Sequence, residues 1–285
     1  MSMLRDAIDR GAMFRRRMPF ARRNGSRFGG RVARWTPRML PAGTLKLWLR
    51  ADLGVTNDGS GYCSVWSDQS GNGYSFTQVT PSSRPAITTY NGVPCLSFDG
   101  TDDSMGSADA ASVYKLLHDG SGSHVFIVMH QNGGASKDSA WLTNVDSAVT
   151  TDPGFLSYTR TTTFNRIAYH VNNTTATRSV DQNVNAVVSD NANHVLEYTL
   201  DSAASTKWED YVDGSLKASN TSFAAALASG SNPTYALRIG RDRGAANMKA
   251  QGYCFEIIIC NSVLSGANLT NMRAYMGARY GVTMA

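Results

Sequence analysis

Lys207-Trp208-Glu209-Asp210-Tyr211-Val212-Asp213-Gly214-Ser215-Leu216-Lys217-Ala218-Ser219 sets an Asp-Gly pair between two short runs of strand-forming residues. Asp and Gly both accept the positive φ that a two-residue hairpin turn requires, so residues 207–212 and 215–219 are expected to pair as antiparallel neighbours. Outward from this hairpin the same grammar repeats. Short apolar or alternating runs bounded by Gly, Asn, Asp and Ser occur at residues 45–50, 95–98, 124–130, 140–144, 154–159, 166–171, 194–200, 235–239 and 253–260. Together with the scarcity of helical periodicity, they predict an all-β body.

Two short helices are expected. Residues 111–118 suffice for two turns. Near the C-terminus Ser265 stands at an N-cap position, Leu269, Met272, Met276 and Tyr280 share one helical face, and Gly281 closes the helix. It is expected to pack against an edge of the sheet structure, while Trp48, Trp66 and Phe98 supply buried area. Without a repeat or a linker to divide it, the stretch 41–285 reads as one domain.

The chain has 285 residues, 42% hydrophobic and 17% charged. No apolar run approaches the roughly 20 residues of a membrane-spanning helix, and no membrane partner is expected. The formal charge of +5 is unevenly spread. Residues 1–40 hold eleven arginines, no lysine and two aspartates, a net of +9; sixteen basic and twenty acidic residues leave 41–285 at −4. The chain therefore reads as a cationic N-terminal arm, 1–40, on a mildly acidic body. Within the arm Met13-Phe14 run straight into Arg15-Arg16-Arg17, so no export signal is read, and synthesis in a cytoplasm without secretion is expected. Cys63, Cys95, Cys254 and Cys260 show no Cys-x-x-Cys spacing and read as reduced, buried thiols. On one regular strand Cys254 and Cys260 would point the same way, about 20 Å apart.

Four segments, in order, resemble the laminin-G-like members of the concanavalin A-like lectin/glucanase superfamily. They are Leu45-Lys46-Leu47-Trp48-Leu49-Arg50-Ala51-Asp52 with Val65-Trp66-Ser67-Asp68-Gln69-Ser70-Gly71-Asn72-Gly73; Arg84-Pro85 with Asn91-Gly92-Val93-Pro94 and Leu96-Ser97-Phe98-Asp99-Gly100-Thr101-Asp102-Asp103; Asp210-Tyr211-Val212-Asp213-Gly214; and the run from Phe255 to Ser265 with Tyr280-Gly281. Cys260 departs from the pattern, which usually has an aromatic there. The resemblance implies a jelly-roll β-sandwich of two antiparallel sheets with a short C-terminal helix, and it does not reach the arm, which is expected to be extended.

Glycoside hydrolases of this superfamily flank the scissile bond with paired acids of the form Glu-x-Asp-x-x-Glu. That motif is missing here. Glu209 and Asp210 are adjacent and so face opposite ways, Glu256 stands alone among isoleucines, and His118, His124, His130, His170 and His194 are scattered; no enzymatic activity is expected. Asp68, Asp99, Asp102 and Asp103 have the chemistry of a calcium site. Aspartates in Gly-rich turns also bond their own backbone, which is the preferred reading, and no cofactor is expected. Tyr62, Tyr74, Tyr90 and Trp141 are candidate platforms for a glycan.

Arg15, Arg16, Arg17, Phe20, Arg22, Arg23, Arg27, Arg31, Arg34 and Trp35 form the candidate anchor, because guanidinium makes planar bidentate hydrogen bonds and stacks on rings. An arm that anchors and a sandwich that projects suggest a non-enzymatic structural protein of a virion: a capsid-decoration, head-fibre or tail-associated protein such as tailed bacteriophages carry. Its partners would be capsid or tail subunits, further copies of itself, and a host surface glycan. One alternative is a carbohydrate-binding or host-receptor-binding lectin module. Another is a small-virus coat protein whose arm binds the genome, although nucleic acid is the less favoured partner.

Overall fold

Residues 125–129 and 255–260 are apolar at consecutive positions, Glu256 apart, and a strand carries such a run where both its faces are buried. Both runs are central strands in a computed structural model that describes residues 34–132, 138–146, 151–160, 166–175, 178–185, 187–189, 191–243 and 248–285. In chain order the strands are β1 (Leu45–Arg50), β2 (Val55–Asn57), β3 (Cys63–Ser67), β4 (Ser75–Thr77), β5 (Ala86–Tyr90), β6 (Val93–Asp99), β7 (Met105–Ser107), β8 (Ser123–Gln131), β9 (Ser139–Thr143), β10 (Gly154–Arg160), β11 (Arg166–Asn172), β12 (Arg178–Val184), β13 (Asn193–Leu200), β14 (Trp208–Val212), β15 (Ser215–Asn220), β16 (Arg238–Ile239) and β17 (Gln251–Cys260); the α-helix α1 (Gly266–Tyr280) follows.

They form two antiparallel sheets. The first runs β15-β14-β13-β8-β17-β6-β5, with β1 also on β17, and the second runs β12-β11-β10-β9-β16-β7-β4-β3-β2. This is the sandwich that the sequence predicted, helix included. The Asp-Gly hairpin is present, with Asp213 at φ 53° and Gly214 at φ 76° and Val212 opposite Ser215. Asn91 and Gly92, at φ 49° and 78°, make an equivalent turn between β5 and β6. Residues 111–117 wind as a 3-10 helix, kinked at Tyr114.

Leu47, Leu49, Trp66, Phe98, Ile127 and Tyr169 lie in the core between the sheets. A second core covers the other face of the first sheet, where Trp48, Phe126, Val128, Phe255 and Ile258 meet Met272, Tyr275, Met276 and Tyr280 of α1. The helix thus packs on a face, not on the expected edge. The reason is visible in β8 and β17, whose side chains are largely apolar on both sides, and in Trp48 of β1, all of which need a cover. Ser265 occupies the N-cap position without a side-chain cap hydrogen bond, and Gly281, at φ 67°, closes the helix through its N–H to Gly277 O.

The β8–β17 register slips between Cys254 and Glu256, a bulge that sends both Phe255 and Glu256 to the helix side. Cys254 consequently joins the inter-sheet core and Cys260 the helix-side core, so they do not point the same way as a regular strand would have them. All four cysteines are free and buried, and burial pushes the thiols of Cys63, Cys95 and Cys260 up to about 12.

The compact unit begins at Trp35, not at residue 41. The Trp35 and Tyr275 rings meet edge to face with centroids 6.1 Å apart and Leu40 is buried, so these residues belong to the helix-side core.

Candidate functional site

The Asn91-Gly92 turn brings the end of β5 beside the C-terminal end of α1. There Tyr90, Asn91, Asn191, Asn193, Arg279 and Tyr280 line a cleft of about 450 Å³. The Tyr90 ring is fixed by Tyr253 and His130, with centroids 5.0 and 4.2 Å away. Burial pushes the His130 imidazole below its usual range. Neutral, it donates from Nδ1 to Asn193 Oδ1 at 3.1 Å, while Asn193 Nδ2 donates to Tyr280 O at 3.1 Å. Arg279 is the one cation of the lining. Its charge is already matched, with Nη2 2.6 Å from Asp52 and Nε 3.7 Å from Glu256. The cleft therefore offers an aromatic ring and amides without uncompensated charge.

Of the four predicted platforms only Tyr90 lines this cleft. Trp141 is a correction: its ring is wholly buried and its Nε1 donates to Thr159 Oγ1 at 2.7 Å, so it is core and not a platform. Tyr74 is half-buried against Tyr114, and its hydroxyl accepts from Lys46 Nζ at 2.8 Å. Tyr62 is exposed and stands apart from the cleft. Asn191, Asn193 and Arg279 were not read from the sequence; they come from segments far apart in it, and the one local signal was the unread Asn-Gly turn. Of the anchor residues, Arg34 is exposed and Trp35 packs as described. Arg15, Arg16, Arg17, Phe20, Arg22, Arg23, Arg27 and Arg31 lie outside the described residues.

Three of the four calcium candidates converge, since Asp99, Asp102 and Asp103 place carboxylate oxygens within 4.8 Å of one another. Burial and the charges of Asp99 and Asp102 push the Asp103 carboxyl up to about 7. Nearby donors hold the three: Asp103 accepts from Asp99 N at 3.0 Å, Asp99 from Thr101 N at 2.7 Å, and Asp102 from Ser83 Oγ at 2.7 Å. Asp68 is elsewhere, accepting from Trp48 N and Ser70 N, each at 2.8 Å.

Of the acids weighed as catalytic, Glu209 is half-buried on β14 and the other two are enclosed. Glu256 is buried under α1, accepting from Trp48 Nε1, Tyr280 Oη and, at 2.9 Å, Tyr275 Oη. Asp210 is buried between the sheets. One constellation escaped sequence reasoning: Ser189 Oγ lies 3.1 Å from His194 Nε2, and His194 Nδ1 lies 2.7 Å from Asp213 Oδ2. These are the spacings of a nucleophile, base and orienting acid. However, the Ser189 N–H donates to the same Nε2 at 3.0 Å and occupies the lone pair that would take the hydroxyl proton. With Asp213 Oδ1 also accepting from Val195 N at 2.8 Å, the trio ties a loop to the hairpin.

No protein-family model matches the sequence, and no curated protein does. Solved structures share its fold. The receptor-binding domain of botulinum neurotoxin D overlaps 83% of this chain and 53% of its own, at 12% identity and a TM-score of 0.54. Weaker overlaps reach the carbohydrate-binding module CBM40 of the Ruminococcus gnavus IT-sialidase, with 63% of this chain, 92% of that one, 14% identity and a TM-score of 0.47. A mutant NanB sialidase from Streptococcus pneumoniae gives 62%, 27%, 16% and 0.48 in the same order. The chain thus spans about half of the toxin domain's structure and about a quarter of the sialidase's. None of these likenesses carries the expectation of a virion role.

Proposed function

We propose that the chain is a recognition module whose cleft beside Tyr90 binds a neutral saccharide. The cleft carries this reading: a ring held rigid by two others suits the apolar face of a sugar, asparagines at its rim suit hydroxyls, and Arg279 is neutralised in place. The shared fold of a domain described as receptor-binding supports a binding role over a catalytic one. The +9 arm supports attachment of the module to a larger assembly, for which subunits of a virion are the proposed host.

Screening immobilised neutral and acidic glycans, followed by titration calorimetry on the hits, tests the cleft. Tyr90→Ala and Asn191→Ala are each expected to weaken a neutral glycan at least about tenfold, or 1.4 kcal/mol. Equal binding by the variants would place the ligand elsewhere, and binding to no glycan would overturn the reading.

A further inference from the structure

β16 leads into a short antiparallel pair, in which Ala250 N–H donates to Gly240 O at 2.7 Å and Asp242 N–H to Met248 O at 3.1 Å. Residues 238–250 carry Arg238, Arg241, Arg243 and Lys249 against one carboxylate, Asp242, a net of +3 within a body of net −4. Leu237 and Ile239 point into the inter-sheet core, which puts Arg238 on the outer face of the second sheet. Lys249 pairs across from Arg241 and adds to the same sign.

Like charges held together need counter-charge, and among the described residues the guanidinium groups here meet little of it. Arg238 Nη1 donates to Asp242 O at 3.4 Å and Arg243 Nη2 to Ala236 O at 2.8 Å, both neutral carbonyls. Arg243 also lies over the Tyr235 ring, 5.5 Å from its centroid. The Nε atoms of Arg238 and Arg243 are buried with no acceptor among the described residues. Burial, then the charges of Arg243 and Arg241, push the Arg238 guanidinium down to about 10, and Asp242 offsets only the smallest part.

We propose that the segment at residues 238–243 is an oxyanion-binding site, suited to a sulfate or carboxylate substituent of an acidic saccharide. An oxyanion would supply the missing counter-charge and accept the paired N–H groups that guanidinium presents. A nucleic acid would need a longer basic stripe than one segment of an acidic body provides. The site is independent of the Tyr90 cleft, whose one cation, Arg279, is already paired with Asp52.

Titration calorimetry on the full chain at constant ionic strength tests it, with glucose 6-sulfate and glucuronate as probes, and glucose and inorganic phosphate as comparisons. The arm is common to all variants, so its contribution cancels between them. Wild type is expected to bind both acidic sugars. The double variant Arg241→Gln with Arg243→Gln is expected to bind them at least about tenfold more weakly, and Lys217→Gln, on β15, as wild type does. If the double variant does not fold, Arg241→Lys with Arg243→Lys replaces it and is expected to lose affinity by a smaller factor, since the charge stays and the planar fork goes. Equal affinity in wild type and double variant, or no binding of acidic sugars, would overturn the site. Preference for phosphate over both sugars would overturn the saccharide assignment. The double variant should leave the glucose titration as it is in wild type, which separates failure here from failure of the cleft.

Discussion

On the helix-covered face of the first sheet two carboxylates are fully buried and ringed by donors, while on the face turned to the second sheet Asp210 is as deeply buried and meets none among the described residues. Glu197 accepts from His124 Nε2 at 2.8 Å and from Arg273 at 3.0 and 2.8 Å. The Leu264 N–H donates to His124 Nδ1 at 3.1 Å, which fixes the ring's proton on Nε2, facing the acid. Burial pushes the Glu197 carboxyl up, and the combined pull of His124 and Arg273 takes it below the usual range. At Glu256 burial prevails over Tyr280, Trp48 and Tyr275, and the carboxyl sits above that range. Among the described residues Asp210 has no hydrogen-bond partner: the Tyr169 hydroxyl donates to Thr199 O, that of Tyr198 accepts from Ser157 Oγ, neither bonds the acid, and burial alone pushes it well up. A helix laid on a sheet brings side chains long enough to reach a buried charge. The two sheets face to face surround Asp210 with apolar side chains and the rings of Tyr169 and Tyr198, and an acid trapped there is driven toward its protonated form.

The sharpest way to break this contrast is Glu256→Ala. It strands the donors of Trp48, Tyr275 and Tyr280 and is expected to cost about 3–5 kcal/mol in urea unfolding, with early loss of helical circular dichroism. A loss under about 1 kcal/mol would mean that the helix face does not depend on its acid. Next in size, Asp210→Val should stabilise the protein by about 1–3 kcal/mol at pH 7. The sign follows from the raised folded-state value: the contribution of Asp210 is complete below the ordinary 3.8 and is lost as pH rises toward that value, so the gain from Asp210→Val should grow from pH 4 upward. A gain constant across pH would show that the acid keeps its charge between the sheets.

Asp103 is the intermediate case, with one backbone donor and two like charges. Its contribution is present below 3.8 and lost as pH rises to about 7. Asp103→Asn should therefore gain about 1 kcal/mol relative to wild type between pH 5 and pH 8, read from melting temperatures, a modest figure because solvent screens the turn.

How far the fold was legible follows the same division. Residues 125–129 and 255–260 announce their strands because both sides are apolar, and the Asp213-Gly214 turn fixes a hairpin by backbone sterics alone. β2, β4 and β7 are three residues each and too short for any period to show; Trp66 and Phe76, packed in the core, help hold them. β12 reads Arg-Ser-Val-Asp-Gln-Asn-Val and carries its polarity outward, where no alternation stands out. Within the cleft Tyr90 was readable as an aromatic beside a turn, but a sequence cannot separate its ring from that of Trp141, since burial is decided by partners distant along the chain. The bulge at Phe255 and Glu256 was equally hidden, and it decides which face receives the acid.

The pairing of β1 with β17, sealed by Trp48 Nε1 donating to Glu256 across 208 residues of chain, also sets a timetable. During synthesis β1 emerges well before β17 and waits, with Leu47 and Leu49 uncovered on one side and Trp48 on the other, until the partner that completes its sheet and the helix that covers it have been translated. Such long-range closure makes for slow folding and a prolonged interval in which an unpaired strand is open to aggregation. A cell producing this protein must shield that early strand until β17 and α1 have been translated, and expression yield should respond to chaperone supply and translation speed more than to the stability of the finished sandwich.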